Sequence, residues 1–158
     1  MAYDILRNYY LMIMQDILIN KLHEYVKENN PDVLIPLEES GGVMQYLKNK
    51  VNALNDLLEQ LQEAKTPVYV IEEVCQEALT KDLKPSKFNY ICTILEEDFE
   101  PIYQQLQESG TLKFEVINMI TYCQPVFESF GFTEETENER QLRYAVTGAV
   151  SGYLENNK

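Results

Sequence analysis

The stretch LKFEVINMITYCQPVFESFG, residues 112–131, decides the fold class of this chain. Its apolar side chains recur at intervals of four, three, four and three residues, at Val116, Ile120, Cys123, Phe127 and Phe130. This spacing places them on one face of an α-helix, whereas a strand would alternate apolar and polar residues. Gly131 suits the C-terminal cap of the helix, and Pro125 predicts a kink within it. The stretch therefore predicts a long amphipathic helix over about 112–130.

The same periodicity runs through most of the 158 residues. It predicts an all-α fold, organised as a single-domain helical bundle of about six helices that spans residues 1–158. The predicted helices cover about 3–29, 43–65, 66–80, 85–110, 112–130, and a last segment that starts with the acidic residues 133–138.

Proline and glycine set the predicted boundaries. Residues 31–42 hold two prolines and Gly41-Gly42, so they are expected to form a flexible connector. Thr66-Pro67 is typical of a helix start with a hydroxyl cap and a proline in the first turn. A kink or a break is expected between Asp98 and Pro101, because proline removes a backbone donor.

The first predicted helix is apolar nearly all round in its first half, where Tyr9 to Met14 follow one another without a polar residue. Consecutive helical residues lie about 100° apart, so one core-facing stripe cannot bury them all. Either a second copy of the chain covers this half, giving a homodimer, or the helix runs through the centre of the bundle. The first alternative makes Tyr9, Tyr10 and Met14 the candidate interaction surface.

The last predicted helix contains Gly148 and Gly152, four residues apart. Glycine inside a helix costs about 1 kcal/mol relative to alanine. The pair therefore predicts that another backbone packs closely at this point.

Charge and hydropathy limit the classes of partner. The formal net charge is −13, and residues 67–139 hold 15 acidic and 4 basic side chains. Such a charge repels phosphate backbones, which disfavours direct nucleic-acid binding. A solvated surface that keeps a small protein soluble is the favoured explanation of the charge. No apolar run approaches the roughly 20 residues that span a bilayer, and no signal peptide is recognisable. A cytoplasmic protein without a membrane partner is expected.

The sequence assigns no catalytic, cofactor-binding or metal-binding residue. His23 is the only histidine, and the three cysteines, Cys75, Cys92 and Cys123, lie in apolar helical patterns. This excludes multi-histidine zinc sites and favours reduced cysteines that act as small hydrophobes. Clusters of carboxylates such as Glu96 to Asp98 need a pocket that perturbs their pKa before they serve acid–base chemistry.

Three stretches together resemble a known family. They are LHEYVKENNPD at residues 22–32, Pro85 to Phe88 continuing to the acidic run that ends at Phe99, and Thr147 to Ala149 with Tyr153 to Glu155. In this order they resemble a bacterial family of unknown function, whose small helical members are often encoded on conjugative transposons. The resemblance covers about residues 20–155. It implies an accessory, regulatory protein of a mobile genetic element, and no activity or site residue.

The leading hypothesis from the sequence is a non-enzymatic protein-interaction or regulatory accessory protein whose partners are proteins, a second copy of itself among them. Eleven tyrosines favour it, because tyrosine combines apolar area with a polar tip. One alternative is an acidic mimic of nucleic acid that occupies a basic DNA-binding protein. Another is a small enzyme with a carboxylate or thiol site.

Overall fold

The computed structural model describes residues 1–157, which form nine α-helices, one 3-10 turn and no strand. The elements are α1 (Ala2–Asn29), α2 (Pro31–Ser40), α3 (Val43–Asn52), α4 (Asn55–Glu63), α5 (Val68–Thr80), the 3-10 turn (Lys81–Leu83), α6 (Lys87–Asp98), α7 (Glu100–Ser109), α8 (Leu112–Phe130) and α9 (Arg140–Asn156). The all-α prediction is confirmed. The predicted number of about six helices is wrong, and each extra helix has a local cause.

The predicted connector over 31–42 is instead mostly helical, as α2. Pro31 is its first residue, where a missing amide costs nothing, and Asp32 lies in the first turn, where the helix dipole favours a carboxylate. The helix continues through Pro36 and ends before Gly41, whose φ of +73° is a left-handed conformation. Pro31 therefore begins a helix, and its prediction as part of a loop is wrong.

The predicted helix over 43–65 is two helices, α3 and α4, separated at Ala53 and Leu54. Asn52 ends α3 and Asn55 begins α4, so an asparagine lies on each side of the break. Asparagine has a low helix propensity. The next helix begins close to the predicted Thr66-Pro67 start, but Pro67 itself occupies the N-cap position and no side chain caps the helix. The predicted threonine cap is thus wrong.

The break predicted between Asp98 and Pro101 is confirmed, and it falls at Phe99. The Phe99 amide donates to Leu95 O at 2.9 Å and completes α6, while its carbonyl accepts from the Tyr103 amide at 3.0 Å and starts α7. One residue therefore caps both helices.

The start of the last helix is also corrected. Residues 133–138 form turns, in which Thr136 Oγ1 donates to Gly131 O at 2.6 Å, and α9 begins only at Arg140. Threonine side chains satisfy backbone groups locally here and so compete with the helix. Gly131 caps α8, as the sequence predicts, with a φ of +72°.

The described residues divide into two compact units. The first comprises residues 1–28 and 33–82, and the second comprises 29–32 and 83–157. In the first unit α4 packs against α5, and in the second α8 packs against α6, α7 and α9. The single-domain organisation stays a prediction.

The second unit has a continuous apolar core contributed by α6, α8 and α9. In it Tyr90 packs edge to face on Phe127 and Phe132, whose own rings are tilted against each other; the ring centroids lie 4.8 to 6.0 Å apart. Burial of large apolar side chains contributes about 2 kcal/mol each to folding. The fully buried members include Ile91, Ile94, Leu95, Val116, Met119, Cys123, Leu142, Val146 and Val150.

Across the described part of the chain, no helix combines the length and the apolar content that a bilayer crossing requires.

Candidate functional site

The first half of α1 has two apolar faces. Met14 and Leu18 are buried on one of them. Around a helix that turns 100° per residue, five further apolar side chains fall roughly opposite, within an arc of about 120°. We call these five residues the α1 apolar face: Ile5, Leu6, Tyr9, Met12 and Ile13.

The α1 apolar face is open to solvent. Its five side chains are 40–68% exposed, and Tyr3 beside it is 74% exposed. A helix in the centre of a bundle would hide all of them, so that alternative is wrong for this half of α1. Of the three predicted surface residues, Tyr9 is 59% exposed and belongs to the face. Tyr10 is half-buried, and Met14 is only 2% exposed, so its assignment to the surface is corrected.

Polar contacts within the first unit fix the orientation of α1. Arg7 Nη2 lies 3.3 Å from Glu59 Oε2 and 3.5 Å from Glu63 Oε1, both on α4. Gln15 Nε2 donates to Asn55 Oδ1 at 2.6 Å, also at the start of α4. Because these contacts lie on the side of α1 opposite its apolar face, the helix cannot roll that face inward without breaking them.

The two glycines of α9 occupy different environments. A Cβ atom added at Gly148 would meet no heavy atom within 4 Å, so no backbone of this chain packs there, and the predicted close contact is corrected. A Cβ atom at Gly152 would lie 3.3 Å from Tyr122 Oη, the tip of a side chain. Tyr122 also packs edge to face on Tyr153, with centroids 5.7 Å apart. No backbone of another described helix packs closely against either glycine.

The three cysteines are free; Cys75 and Cys123 are buried, and Cys92 is half-buried. Burial raises the pKa of Cys75, raises that of Cys123 to about 11, and together with the nearby Glu96 raises that of Cys92 to about 12. The thiolate is the nucleophile and the metal ligand, so these shifts weigh against a thiol site. Within residues 1–157, no group of three or more His, Cys, Asp or Glu side chains is placed to hold a metal ion.

Two of the stretches that carry the family resemblance meet in the second unit. Ser86 Oγ donates to the carbonyl oxygen of Asn29, and Asn89 Nδ2 donates to Asn29 Oδ1 at 2.9 Å. Asn30 is 5% exposed, and its Nδ2 donates to Leu83 O at 3.1 Å. No sequence motif indicates that residues 57 and 60 positions apart form these hydrogen bonds. We call this the Asn29–Ser86 junction.

Asp32 lies beside the Asn29–Ser86 junction. Its Oδ1 atom is buried and accepts no hydrogen bond within the described residues. Burial raises the pKa of Asp32, although a hydrogen bond from its own amide and the positive charge of Lys87 act in the opposite direction. The carboxylate of Asp32, beside the junction, is thus poorly solvated in its ionised form.

A cavity is found in each unit. The first unit has an open groove of about 730 Å³, whose floor includes Leu54 and Leu79 and whose rim holds the Lys50–Asp82 ion pair at 2.6 Å. The second unit has a smaller, polar cavity of about 310 Å³. Its walls are Tyr90 and Thr93 of α6, Glu137 and Asn138 of the preceding turn segment, and Arg143 of α9. No sequence motif indicates either cavity.

The acidic residues of the central segment lie on the surface. Glu96, Glu97 and Asp98 are exposed at the end of α6, as are Glu134 and Glu135 in the turn segment. Arg143 Nη2 pairs with Glu97 Oε2 at 2.9 Å and with Asp98 Oδ2 at 3.0 Å. The nucleic-acid mimic stays a prediction, as does a carboxylate enzyme.

The sequence profile of one protein family matches residues 18–158, and that family is described as "Domain of unknown function (DUF1896)". No curated protein and no solved structure shows a significant match to the chain. The matched region begins after the α1 apolar face, which lies within residues 5–13.

Proposed function

Since the chain belongs to DUF1896, a family whose function is unknown, we propose a function from its surface: a non-enzymatic interaction module that pairs with a second copy of itself. The observation that carries the proposal is the exposure of the α1 apolar face. The accessory and regulatory role that the resemblance implies is part of the same proposal.

The size of the face suits a small symmetric interface. Five large side chains at 40–68% exposure present roughly 500 Å² of apolar surface, a patch as large as the largest on typical monomers. Two such patches pressed together bury about 1,000 Å² in total, the lower bound for a specific interface. A two-fold contact covers both with one set of residues.

Charge favours a second copy as the occupant. The whole chain carries −13, so two copies repel each other wherever acidic surfaces meet. Residues 1–13 hold only Asp4 and Arg7 as charged side chains, one of each sign. The α1 apolar face is therefore a part of the surface where two copies approach with little electrostatic cost. The face turns polar at Asp16, which limits the contact to the first half of the helix.

Sedimentation equilibrium of the full chain at about 1–100 µM tests the proposal. The expected mass at the upper end is twice 18.4 kDa. Replacing Ile5 and Tyr9 together by lysine is expected to return the mass to 18.4 kDa while circular dichroism stays helical. Both side chains point to solvent, so the double variant keeps its core.

Met44→Lys is the matched control, because Met44 is 54% exposed in the same unit but lies on α3. It is expected to stay dimeric. A wild-type mass of 18.4 kDa at every concentration contradicts the proposal, and so does a dimer that survives the double substitution.

A further inference from the structure

The polar cavity of the second unit is lined by residues from three separate parts of the chain. Tyr90 and Thr93 lie one turn apart on α6, Glu137 and Asn138 come from the turn segment, and Arg143 projects from α9. The cavity encloses about 310 Å³, enough for a side chain or a small molecule. Its walls are mostly polar, which distinguishes it from the apolar groove of the first unit.

Within residues 1–157, the hydroxyl of Tyr90 has no hydrogen-bond partner. Its Oη atom is buried, yet it takes part in no hydrogen bond within the described residues. A buried hydroxyl left unpaired costs about 1–3 kcal/mol, so such a group calls for an explanation. The ring itself is held edge to face by Phe132 and Phe127, at centroid distances of 5.1 and 6.0 Å. The hydroxyl is therefore an unpaired polar group of a residue that lines the cavity.

Two other residues that line the cavity, Thr93 and Arg143, already form hydrogen bonds or ion pairs. Thr93 Oγ1 donates to Asn89 O at 2.9 Å. Arg143 Nη2 is shared between Glu97 and Asp98, at 2.9 and 3.0 Å. Burial raises the pKa of Tyr90, while Arg143 lowers it and Glu137 raises it, so both charges act on the hydroxyl.

The charged side chains at the cavity determine whether it attracts a cation or an anion. Glu97 and Asp98 pair with the Arg143 guanidinium, and Glu137 lines the same cavity as Arg143. These four groups carry three negative charges and one positive charge, so their net formal charge is −2. A cation is attracted there and a free anion is repelled.

The hydrogen-bonding groups narrow the ligand further. Glu137, Tyr90 and Asn138 line one cavity, and each of their side chains carries an oxygen that can accept a hydrogen bond. A primary ammonium group carries three N–H donors and one positive charge. We propose that this cavity binds a primary ammonium group, either a lysine side chain of a protein or a free alkylamine.

This proposal rests on α6 and α9 and is independent of the self-association proposed for α1. The test is an amide-resolved NMR titration of the full chain with n-butylammonium chloride at constant ionic strength. Saturable shifts are expected at Tyr90, Thr93 and Asn138, with a dissociation constant of about 1 mM. Tetramethylammonium, which has the charge but no N–H donor, is expected to bind at least about fivefold more weakly.

Three variants make the test specific. Glu137→Gln is expected to weaken n-butylammonium binding about tenfold through loss of a charge-assisted hydrogen bond. Tyr90→Phe keeps the ring packing, so about fivefold weakening reports the hydroxyl alone. Glu134→Gln removes an exposed charge from the same turn segment outside the cavity walls, and binding is expected to stay unchanged.

Several results overturn the proposal: no saturable shift at these residues, equal binding of tetramethylammonium, tighter binding of butyrate, or equal weakening by Glu134→Gln and Glu137→Gln. A lysine peptide, acetyl-Gly-Lys-Gly-amide, separates the two sources of the ammonium group. Tighter binding than n-butylammonium supports a protein lysine, and equal binding supports a free amine.

Discussion

The hydroxyl of Ser86 donates a hydrogen bond to the backbone carbonyl of Asn29, the last residue of α1, across 57 positions of sequence. The same oxygen accepts from the Asn89 amide at 3.0 Å and so caps α6. One small side chain thus forms a hydrogen bond with an end group of each of two helices.

Ser86→Ala is therefore expected to lower the free energy of unfolding by about 2 kcal/mol, since it removes a cap and a long-range hydrogen bond. Urea denaturation followed by circular dichroism measures the change. Ser129→Ala is the control, because Ser129 is exposed near the end of α8. If both variants lose the same stability, the junction contributes nothing beyond local helix propensity.

Gly148→Ala is expected to stabilise the protein by about 1 kcal/mol, because alanine is the better helix former and the added methyl group meets open space. Gly152→Ala is expected to gain less, since its Cβ atom lies 3.3 Å from Tyr122 Oη and that side chain has to shift. Thermal unfolding of both variants checks the order. A loss of stability in Gly148→Ala, with the chain still monomeric at the concentration used, contradicts the open environment.

Asp32→Asn is expected to raise the free energy of unfolding, relative to wild type, by more at pH 7 than at pH 3.5. Burial raises the pKa of Asp32 in the folded chain above its ordinary value of 3.8. The folded state thus prefers the protonated acid, and the stabilisation present below that value is lost as pH rises through the raised pKa. An uncharged amide escapes this loss.

The measurement is the free energy of unfolding of wild type and Asp32→Asn across that pH range. Glu38→Gln, an exposed position on the same helix, controls for the loss of one negative charge. A difference between wild type and Asp32→Asn that does not change with pH refutes the assignment.

Alkaline pH is expected to destabilise the protein in part through Cys92. Burial and Glu96 raise its pKa from 9.0 to about 12, so the unfolded chain releases this proton first. Stability is full below pH 9 and falls between the two values, by about 1.4 kcal/mol per pH unit for one proton. Cys92→Ala is expected to show a shallower decline in urea titrations between pH 8 and 11. Parallel curves for wild type and variant would exclude Cys92 as a contributor.

Much of the second unit follows from local sequence rules. The spacing over 112–130 predicts α8 to the residue, and Asp98 to Pro101 predicts the break that falls at Phe99. Both depend on signals within one or two helical turns, which a sequence displays directly. Predicted helix boundaries are wrong where one residue type occurs both at helix starts and in loops. Pro31 starts a helix although proline also marks loops.

The candidate sites were less accessible to sequence analysis. The apolar start of α1 predicts an exposed surface, but which residues point outward depends on the helix phase that α4 and α5 impose. Met14 and Tyr9 are five positions apart and lie on different faces. The polar cavity joins Tyr90 to Arg143, 53 positions apart, and no periodicity of charged residues reveals that meeting.

The double use of Phe99 as the cap of both α6 and α7 fixes the rotational phase between these helices. A single residue inserted there would turn every side chain of α7 by about 100° relative to α6. Tyr103 and Leu106, which pack on the core, would then face water. The length of the chain at this joint is therefore constrained in a way that its residue identities are not, and insertions are far better accommodated in the exposed turn at Gly41.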